Sequence, residues 1–202
     1  MKILVGDAVY LSNRQVHLLG SKPMIINPSE RLSYRLMTLA DGPRLLDVDS
    51  DPLVMKYITK GVPSTLQDIE ERMLPRLAKY LNPDKGWGLW EVCDTSSKLY
   101  LGWVLVRPMH FFSENPEFDN WELGWRFKQA GWGRGYATEA AKHIMHVLAD
   151  KHQVKSFSAI AVKDNVASIQ VMKKLGMVFE KSALHVDPLF SEQVEYYRID
   201  FA

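Results

Sequence analysis

Residues 131–141 read Gly-Trp-Gly-Arg-Gly-Tyr-Ala-Thr-Glu-Ala-Ala, and this glycine-rich turn is the stretch that decides the fold. A strand-like run at 121–127 precedes it. After the turn, apolar residues recur at helical spacing on one face: Ala137, Ala140, Ala141, Ile144, Met145 and Leu148. The stretch therefore predicts a strand, a tight turn and an amphipathic helix in immediate succession.

A turn of this kind predicts an anion site at the start of the helix. The first N–H groups of a helix have no internal partner, and the helix dipole adds partial positive charge there. Glycines allow the backbone to approach a ligand without a Cβ clash, and Arg134 offers a charge-assisted hydrogen bond. The segment thus predicts binding of a phosphate or pyrophosphate.

The glycine spacing excludes two common phosphate motifs. A dinucleotide fingerprint, Gly-x-Gly-x-x-Gly, read from Gly131 or Gly133 requires glycine where the chain has Tyr136 or Thr138. A Walker A loop requires Gly-Lys-Ser/Thr, which this stretch lacks. The turn also lies in the second half of the chain, whereas a Rossmann unit places its turn after the first strand.

The segment from Trp132 to Ala137 resembles the acetyl-CoA pyrophosphate loop of the GNAT superfamily of N-acetyltransferases, which reads Gln/Arg-x-x-Gly-x-Gly/Ala. Gly135 and Ala137 match that pattern, whereas Trp132 replaces the usual Gln or Arg. The tryptophan variant followed by Ala-Thr-Glu-Ala resembles the branch that contains ribosomal-protein alanine N-acetyltransferases and related small-amine acetyltransferases.

The resemblance extends over most of the chain, because further segments match the same branch in the expected order. These segments are Glu30-Arg31-Leu32, residues 49–58, Leu101-Gly102-Trp103, Glu122-Leu123-Gly124-Trp125, Asn165-Val166-Ala167-Ser168 and Lys174-Leu175-Gly176-Met177. The resemblance implies a mixed α/β fold, the GNAT acyl-CoA N-acyltransferase fold. In that fold a mostly antiparallel central sheet is splayed between strands four and five and flanked by helices.

Length and composition bound the class of protein. The chain has 202 residues with 47% apolar content, which suits one domain with a sizeable core. The net charge of +1 argues against general binding to nucleic acid or an anionic membrane. The single cysteine, Cys93, excludes an intrachain disulfide and, with no signal-peptide pattern, favours the cytoplasm. We interpret residues 1–29 as an N-terminal extension forming a small hairpin or irregular flap, and 30–202 as the N-acetyltransferase domain.

Periodicity along the chain predicts the element order β-αα-βββ-α-β-α-ββ. The predicted strands cover 32–36, 87–92, 99–107, 121–127, 156–162, 177–184 and 194–201. Asp41 is the expected N-cap of the first helix. A longer helix begins near residue 64, capped by Ser64 or by Thr65, and Pro75 is expected to kink it.

By the resemblance, acetyl-CoA is the acyl donor, and its binding residues lie in three segments. The backbone of strand four is implied to pair with the pantetheine arm, while the glycine turn and the start of the last helix hold the remainder. The residues so assigned are Trp125, Arg126, Phe127, Trp132, Gly133, Arg134, Gly135, Tyr136, Ala137, Thr138, Asn165 and Ser168. No metal is implied.

Direct acyl transfer requires a neutral amine. An alkyl amine has a pKa of about 10, so a base or a water relay must remove its proton. Glu122 is the leading candidate, since it matches an acidic position that often serves this role in the family. A charge on the solvent face of a strand is the alternative interpretation. His110 and His185 are rival bases, because each is predicted to lie in a loop beside the acceptor cleft.

The leaving thiolate needs a proton, and here the chain departs from the family. Many members carry a tyrosine shortly before the Gly-Phe-like ending, where the nearest match in this chain is Met172, which cannot donate a proton. Ser168, in the first turn of the helix capped by Asn165, is the alternative acid, and a water is another. Cys93, in a predicted strand, is interpreted as a buried structural thiol and not as an acyl carrier.

The acceptor is expected to bind between two predicted loops, 108–120 and 185–193, whose aromatic and acidic residues suit a cationic amine or a peptide N-terminus. The implied partners are acetyl-CoA and an amine, without nucleic acid or membrane, and with a homodimer as one option. The leading hypothesis is an acetyl-CoA-dependent N-acetyltransferase acting on a protein N-terminus or a small amine. Two alternatives stay open: a non-catalytic acyl-CoA sensor of the same fold, and a phosphate- or nucleotide-binding protein of another fold.

Overall fold

The computed structural model describes residues 23–201, and its elements follow the predicted order. The strands are β1 (Leu32–Leu36), β2 (Gly88–Asp94), β3 (Tyr100–Met109), β4 (Glu117–Phe127), β5 (Ser156–Ala161), β6 (Val178–Asp187) and β7 (Phe190–Asp200). The helices are α1 (Gly42–Asp49), α2 (Leu66–Asp68), α3 (Leu74–Tyr80), α4 (Tyr136–His152) and α5 (Val166–Lys174). A π-helical turn, Ile69–Met73, joins α2 to α3, and the residues before α2 and α4 include 3-10 turns at Val54–Tyr57 and Gln129–Gly131.

The strands form one seven-stranded sheet in the order β1-β2-β3-β4-β5-β7-β6. Neighbouring strands are antiparallel except β4 and β5, which run parallel and pair only from Asn120 to Glu122. Beyond the last pair, Glu122 with Ser158, β4 continues to Phe127 and β5 to Ala161 without pairing to each other. The predicted splay between strands four and five is confirmed, and we call the Glu122–Ser158 pair its vertex.

The sheet separates two apolar cores. On one face, α4 and α5 bury residues such as Ile144 and Met172 against the strands. On the other face, α1 and α3 bury Leu45 and Leu77 against β2 and β3. Each fully buried side chain of this size contributes about 1.5–3 kcal/mol relative to exposure, so both helical layers are held by burial.

The helix that begins near residue 64 is capped by Thr65. Its hydroxyl accepts from Asp68 N at 3.1 Å while Asp68 Oδ2 accepts from Thr65 N at 2.9 Å, which completes a capping box. The predicted kink at Pro75 takes the form of the π-helical turn, in which Leu74 N bonds to Ile69 O. Proline has no N–H to donate, and its ring clashes with the preceding helical turn. The wider π-helical turn before Pro75 removes this clash.

Asp41 is the N-cap residue of α1 as predicted, but its side chain makes no hydrogen bond to the helix N–H groups. Its carboxylate accepts from Thr38 N at 2.6 Å and pairs with Arg35 Nη2 at 2.8 Å. The arginine comes from β1, so the carboxylate fixes the turn between β1 and α1. The Asp41 carboxylate therefore binds the guanidinium of Arg35 and not the N–H groups at the start of α1.

Both predicted acceptor loops are largely wrong. β3 extends to Met109 and β4 begins at Glu117, so the connection covers only 110–116. The predicted loop 185–193 belongs mostly to β6 and β7, which a two-residue turn joins after Asp187. The apolar Leu184 and Val186 of β6 are exposed while His185 between them is buried. The usual alternation is thus inverted there, which hides the strand from a sequence pattern.

Residues 23–29, assigned to the extension, lie along the domain. Met24 and Ile26 are buried in the core beneath α4, and Met24 N donates to Pro83 O at 2.8 Å. The predicted hairpin or flap falls in residues 1–22, outside the described residues, and the boundary at residue 29 stays a prediction. Within residues 23–201 no helix has the length and apolar character that a membrane span requires.

Candidate active site

The glycine turn has the backbone that its sequence predicts. Gly133 and Gly135 adopt left-handed φ angles of 72° and 77°, which side chains rarely tolerate. The helical hydrogen bonds of α4 begin with Glu139 N donating to Gly135 O at 3.0 Å. The N–H groups before Glu139 at this end therefore lie outside the helical ladder, which is the arrangement that the predicted anion site requires.

An ion pair from the N-terminal segment holds the turn in place. Glu139, in the first turn of α4, pairs with Arg31 Nη2 at 2.7 Å and accepts from Ser29 Oγ at 2.8 Å. Arg31 also donates from Nη1 to Arg134 O at 3.1 Å and lies over the Tyr136 ring. Burial opposes ionisation of Glu139, but the hydrogen bonds from Arg31 and Ser29 outweigh it and lower the pKa of this carboxyl. The arginine neutralises a carboxylate that would otherwise repel an anion at the helix start.

A cavity of about 560 Å³ lies beside the turn. Eleven of the twelve predicted cofactor residues line it: Trp125, Arg126, Phe127, Trp132, Gly133, Gly135, Tyr136, Ala137, Thr138, Asn165 and Ser168. Arg134 is the exception, since it does not contribute to the lining. The sequence did not point to two cations in the wall, Lys56 before α2 and Lys174 at the end of α5. Their proximity follows from the tertiary fold, which no local pattern encodes.

The backbone of β4 faces the gap at the residues that the resemblance assigns to the pantetheine arm. Lys128 N donates to Leu101 O at 2.8 Å, and hydrogen-bonded pairs alternate along antiparallel strands. The N–H and C=O groups of Trp125 and Phe127 therefore point away from β3, toward the gap. The Arg126 side chain lies on the face of the sheet that α1 covers, 2.5 Å from the buried carboxylate of Asp49. Because its guanidinium is paired there, Arg126 offers no free positive charge to the cavity.

The glycine turn at the start of α4 and the backbone of β4 that faces the gap lie within a stretch of sequence that a known family model matches. The profile of the acetyltransferase (GNAT) domain matches residues 31–178. The chain belongs to the GNAT acetyltransferase family. Members of this family use acetyl-CoA, and the cavity combines unpaired helix N–H groups with a strand edge that suit such a ligand.

Known proteins place the GNAT chain among other acetyltransferases. It is 31% identical over 101 residues to the uncharacterised protein YkkB of Bacillus subtilis, a match that covers 49% of this chain and only 56% of that protein. It is 28% identical over 151 residues to the uncharacterised N-acetyltransferase YnaD of Bacillus subtilis, covering 74% and 80%. A GNAT-family acetyltransferase structure from Bacillus anthracis superposes with a TM-score of 0.68 at 26% identity, covering 88% and 98%.

The predicted base of this GNAT enzyme, Glu122, lies at the vertex and not on a solvent face. Glu122 and Arg107 face each other across β4 and β3, and Arg107 Nε donates to Glu122 Oε2 at 2.7 Å. Both side chains are 8% exposed. The interpretation of Glu122 as a solvent-facing charge is wrong, because the register of β3 places a buried guanidinium opposite it.

The start of α5 follows the prediction. Asn165 Oδ1 accepts from Ser168 N at 3.2 Å, so Asn165 is the N-cap. Both residues line the GNAT cavity, as expected for cofactor contacts. Met172 is buried in the core beneath the sheet, so it packs and supplies no proton. The role of Ser168 as an acid stays a prediction.

Polar side chains that the sequence did not bring together meet on the α1–α3 face near the vertex. His185 Nδ1 lies 2.9 Å from Tyr196 Oη, and the His110 ring stacks on His185 with centroids 5.6 Å apart. Asp187 pairs with Arg76 of α3 and lies 3.9 Å from Arg107 Nη2. The prediction that His185 lies in a loop is wrong, since it is a buried residue of β6. One residue in the sequence could have indicated this polar cluster. Arg107 is a charged residue in the otherwise apolar run of β3, and such a residue needs a buried partner.

Cys93 packs as a structural thiol would, but it is half-buried and not buried as predicted. It lies in β2, packs against the core under α1 and α3, and burial raises the pKa of its thiol. A thiol with a raised pKa is a poor nucleophile near neutral pH. Among residues 23–201 no group of three or more His, Cys, Asp or Glu side chains is placed to hold a metal ion.

Proposed function

We propose that this protein transfers an acetyl group directly from acetyl-CoA to a primary amine. The observation that carries the proposal is the cavity that joins the glycine turn, the edge of β4 and the start of α5. This groove suits a long ligand with an anionic end and an amide-containing arm. It combines a phosphate site, an unpaired strand edge and the start of a second helix.

Each wall of the cavity has a separate role. The N–H groups around Gly133 and Gly135 receive the pyrophosphate, and Lys56 and Lys174 add positive charge nearby. The backbone of Trp125 bonds the pantetheine arm as an added strand would. At the start of α5, Asn165 and Ser168 contact the cofactor on the β5 side of the gap.

Chemistry takes place at the vertex, where the gap between β4 and β5 closes. Glu122 is the proposed base that removes a proton from the amine, and Arg107 holds its carboxylate in place. Ser168, in the cavity wall, is the proposed donor to the leaving thiolate. Holding amine and thioester together in one groove contributes much of the acceleration.

The acceptor approaches from the face covered by α1 and α3, because the cofactor fills the gap from the side of α4 and α5. Trp132 and the following Ala-Thr-Glu-Ala favour the branch of ribosomal-protein alanine N-acetyltransferases and related small-amine enzymes, so a protein N-terminus or a small amine is the proposed acceptor. We place the enzyme in the cytoplasm, with a homodimer as one possible assembly.

The test is acetyl-CoA-dependent thiol release across alanyl and seryl peptides, polyamines, amino acids and aminoglycosides. Release with one class supports the transferase and names its acceptor. Binding of acetyl-CoA in a thermal-shift assay without release supports the sensor alternative on the same fold. Absence of both contradicts the assignment of the glycine turn, and ATP or NAD binding that CoA does not displace supports a nucleotide-binding protein.

A further inference from the structure

The carboxylate of Glu122 is enclosed by its neighbours. Its side chain is 8% exposed, and Glu122 is not among the residues that line the cofactor cavity. A general base has to come within hydrogen-bond reach of the proton that it removes. An amine that approaches from the face covered by α1 and α3 therefore reaches Glu122 only after side chains on that face have moved.

Side chains from three elements meet beside Arg107, the ion-pair partner of Glu122. Arg76 of α3 donates from Nη2 to Asp187 Oδ2 at the end of β6. The ring of Phe112, from the connection between β3 and β4, has its centroid 3.8 Å from Cζ of Arg76 and 5.2 Å from Cζ of Arg107. The Arg76 side chain is 14% exposed, whereas those of Asp187 and Arg107 are 8% exposed. Arg76 is thus the guanidinium nearer to solvent.

The four charged groups on this face balance one another. Arg76 binds Asp187, Arg107 Nε donates to Glu122 Oε2 at 2.7 Å, and Arg107 Nη2 lies 3.9 Å from Asp187 Oδ2. If Arg76 moves into solvent, two carboxylates remain with one guanidinium. A buried charge that loses its partner is strongly destabilising. The departure of Arg76 therefore favours the entry of another cation at Asp187.

Asp187 is held in place independently of Arg76. Its Oδ1 accepts a hydrogen bond from Leu189 N at 3.0 Å, within the turn between β6 and β7. Arginine, in contrast, has a long side chain with several rotatable bonds. Oδ2 of Asp187 therefore stays in position for a new donor when Arg76 rotates away. Because Asp187 and Glu122 approach the same guanidinium of Arg107, a cation bound at Asp187 lies close to the proposed base.

On the basis of the transferase function proposed above, we propose that Asp187 binds a cationic group of the acceptor and that this group replaces the guanidinium of Arg76. The acceptor is then an amine that carries a second cationic group. The second group forms a charge-assisted hydrogen bond with Asp187, while the nitrogen that is acetylated lies at Glu122. Binding of the acceptor and removal of Arg76 from the route to the base are one exchange of cations.

The experiment measures steady-state kinetics of the full chain with the best acceptor of the amine panel and with putrescine and butylamine, which differ by one amino group. The wild type should prefer putrescine by about tenfold in kcat/KM. Asp187→Asn removes the charge and keeps an Oδ1 for Leu189 N. It should raise KM for putrescine about tenfold, with little change in kcat and little change in KM for butylamine.

Arg76→Met removes the competing guanidinium and keeps a long side chain against Phe112. It should lower KM for putrescine about threefold, because a site occupied by Arg76 has a reduced apparent affinity. The double variant Arg76→Met/Asp187→Asn should have the KM of Asp187→Asn, since Arg76 acts only by competing for Asp187. Arg72→Met is the matched control, because Arg72 lies one helical turn earlier and pairs with Asp68. It should keep the wild-type KM values.

Two results would overturn the role of Asp187 while leaving the transferase intact. One is a best acceptor that carries no second cationic group. The other is a wild-type KM for the best acceptor in Asp187→Asn whose folding a thermal-shift assay has verified. A wild-type protein that acetylates no amine refutes both proposals at once.

Discussion

The indole N–H of Trp132 donates to the carbonyl oxygen of Phe127 at 2.8 Å. Trp132 belongs to the glycine turn and Phe127 ends β4, so the bond joins the two walls between which acetyl-CoA is proposed to bind. In the family pattern this position is Gln or Arg. In this chain the side chain at that position bonds the turn to the end of β4.

We expect Trp132→Phe to raise KM for acetyl-CoA about fivefold, because a hydrogen bond of about 1 kcal/mol no longer holds the turn. Trp87→Phe is the matched control, since the buried Nε1 of Trp87 has no hydrogen-bond partner among residues 23–201. Isothermal titration with CoA distinguishes the two variants. Equal affinities would show that the bond does not position the turn.

Gly135→Trp should abolish CoA binding, because an indole at the turn occupies the space that a pyrophosphate needs. Gly176→Trp is the control, since Gly176 at the end of α5 has a similar φ of 85° and does not line the cavity. Both substitutions carry the left-handed penalty of about 1–2 kcal/mol. Thermal shifts with and without CoA should therefore differ only for Gly135→Trp, and undiminished affinity there would refute the loop assignment.

Glu122→Gln should reduce kcat by about 10²-fold at neutral pH and by less at high pH, where the amine is already neutral. The ion pair with Arg107 is lost in the same variant, so its folding is checked by circular dichroism. Glu195→Gln, a carboxylate of β7 bonded to Ser182, serves as control. Parallel pH profiles for the wild type and Glu122→Gln would remove Glu122 from the base role.

Asp41 should stabilise the fold at neutral pH and lose that effect in acid. The hydrogen bond from Arg35 lowers the pKa of Asp41 from 3.8 to about 2. The folded state thus binds its proton less tightly than the unfolded chain, and the stabilisation is present above pH 3.8 and lost as the pH falls through about 2.

Asp41→Asn should accordingly cost about 1 kcal/mol at pH 7, after allowance for the exposed arginine, and almost nothing at pH 2. The measurement is the free energy of unfolding in urea at several pH values. Asp47→Asn, which removes a surface pair with Lys128, should have little effect at any pH. A pH-independent loss in Asp41→Asn would contradict the ion-pair explanation.

The capping box makes a further stability prediction. Thr65→Ala should cost about 1 kcal/mol, because Asp68 N loses its acceptor at the start of α2. Ser64→Ala tests the rival cap considered from the sequence and should be nearly neutral. Urea denaturation of both variants decides the matter, and a larger loss in Ser64→Ala would reverse the assignment.

The fold and the cofactor groove could be predicted from short sequence patterns, each of which acts within a few residues. The glycines of the turn, the N-cap at Asn165 and the apolar face of α4 act within a few residues, where backbone geometry leaves few choices. The element order and the splay followed from them together with the family resemblance. Arg134 was assigned by the same local logic, but its side chain lies outside the cavity wall.

The polar cluster at the vertex could not be predicted, because it depends on strand register. Arg107 meets Glu122 across β3 and β4, and His185 meets Tyr196 across β6 and β7. A single-residue slip would turn either partner to the other face. Sequence reasoning also expected polar residues outward, whereas β6 buries His185 and exposes Leu184.

The splay also has a mechanical consequence. Only three residue pairs are formed between β4 and β5, so the sheet divides into two parts, β1–β4 and β5–β7, which meet at the vertex and are connected by α4. A ligand that bonds to β4 and contacts α5 would connect these two parts of the sheet across the gap. Amide hydrogen exchange in β5 and α5 should therefore slow when CoA is bound, as two separately opening units become one cooperative unit.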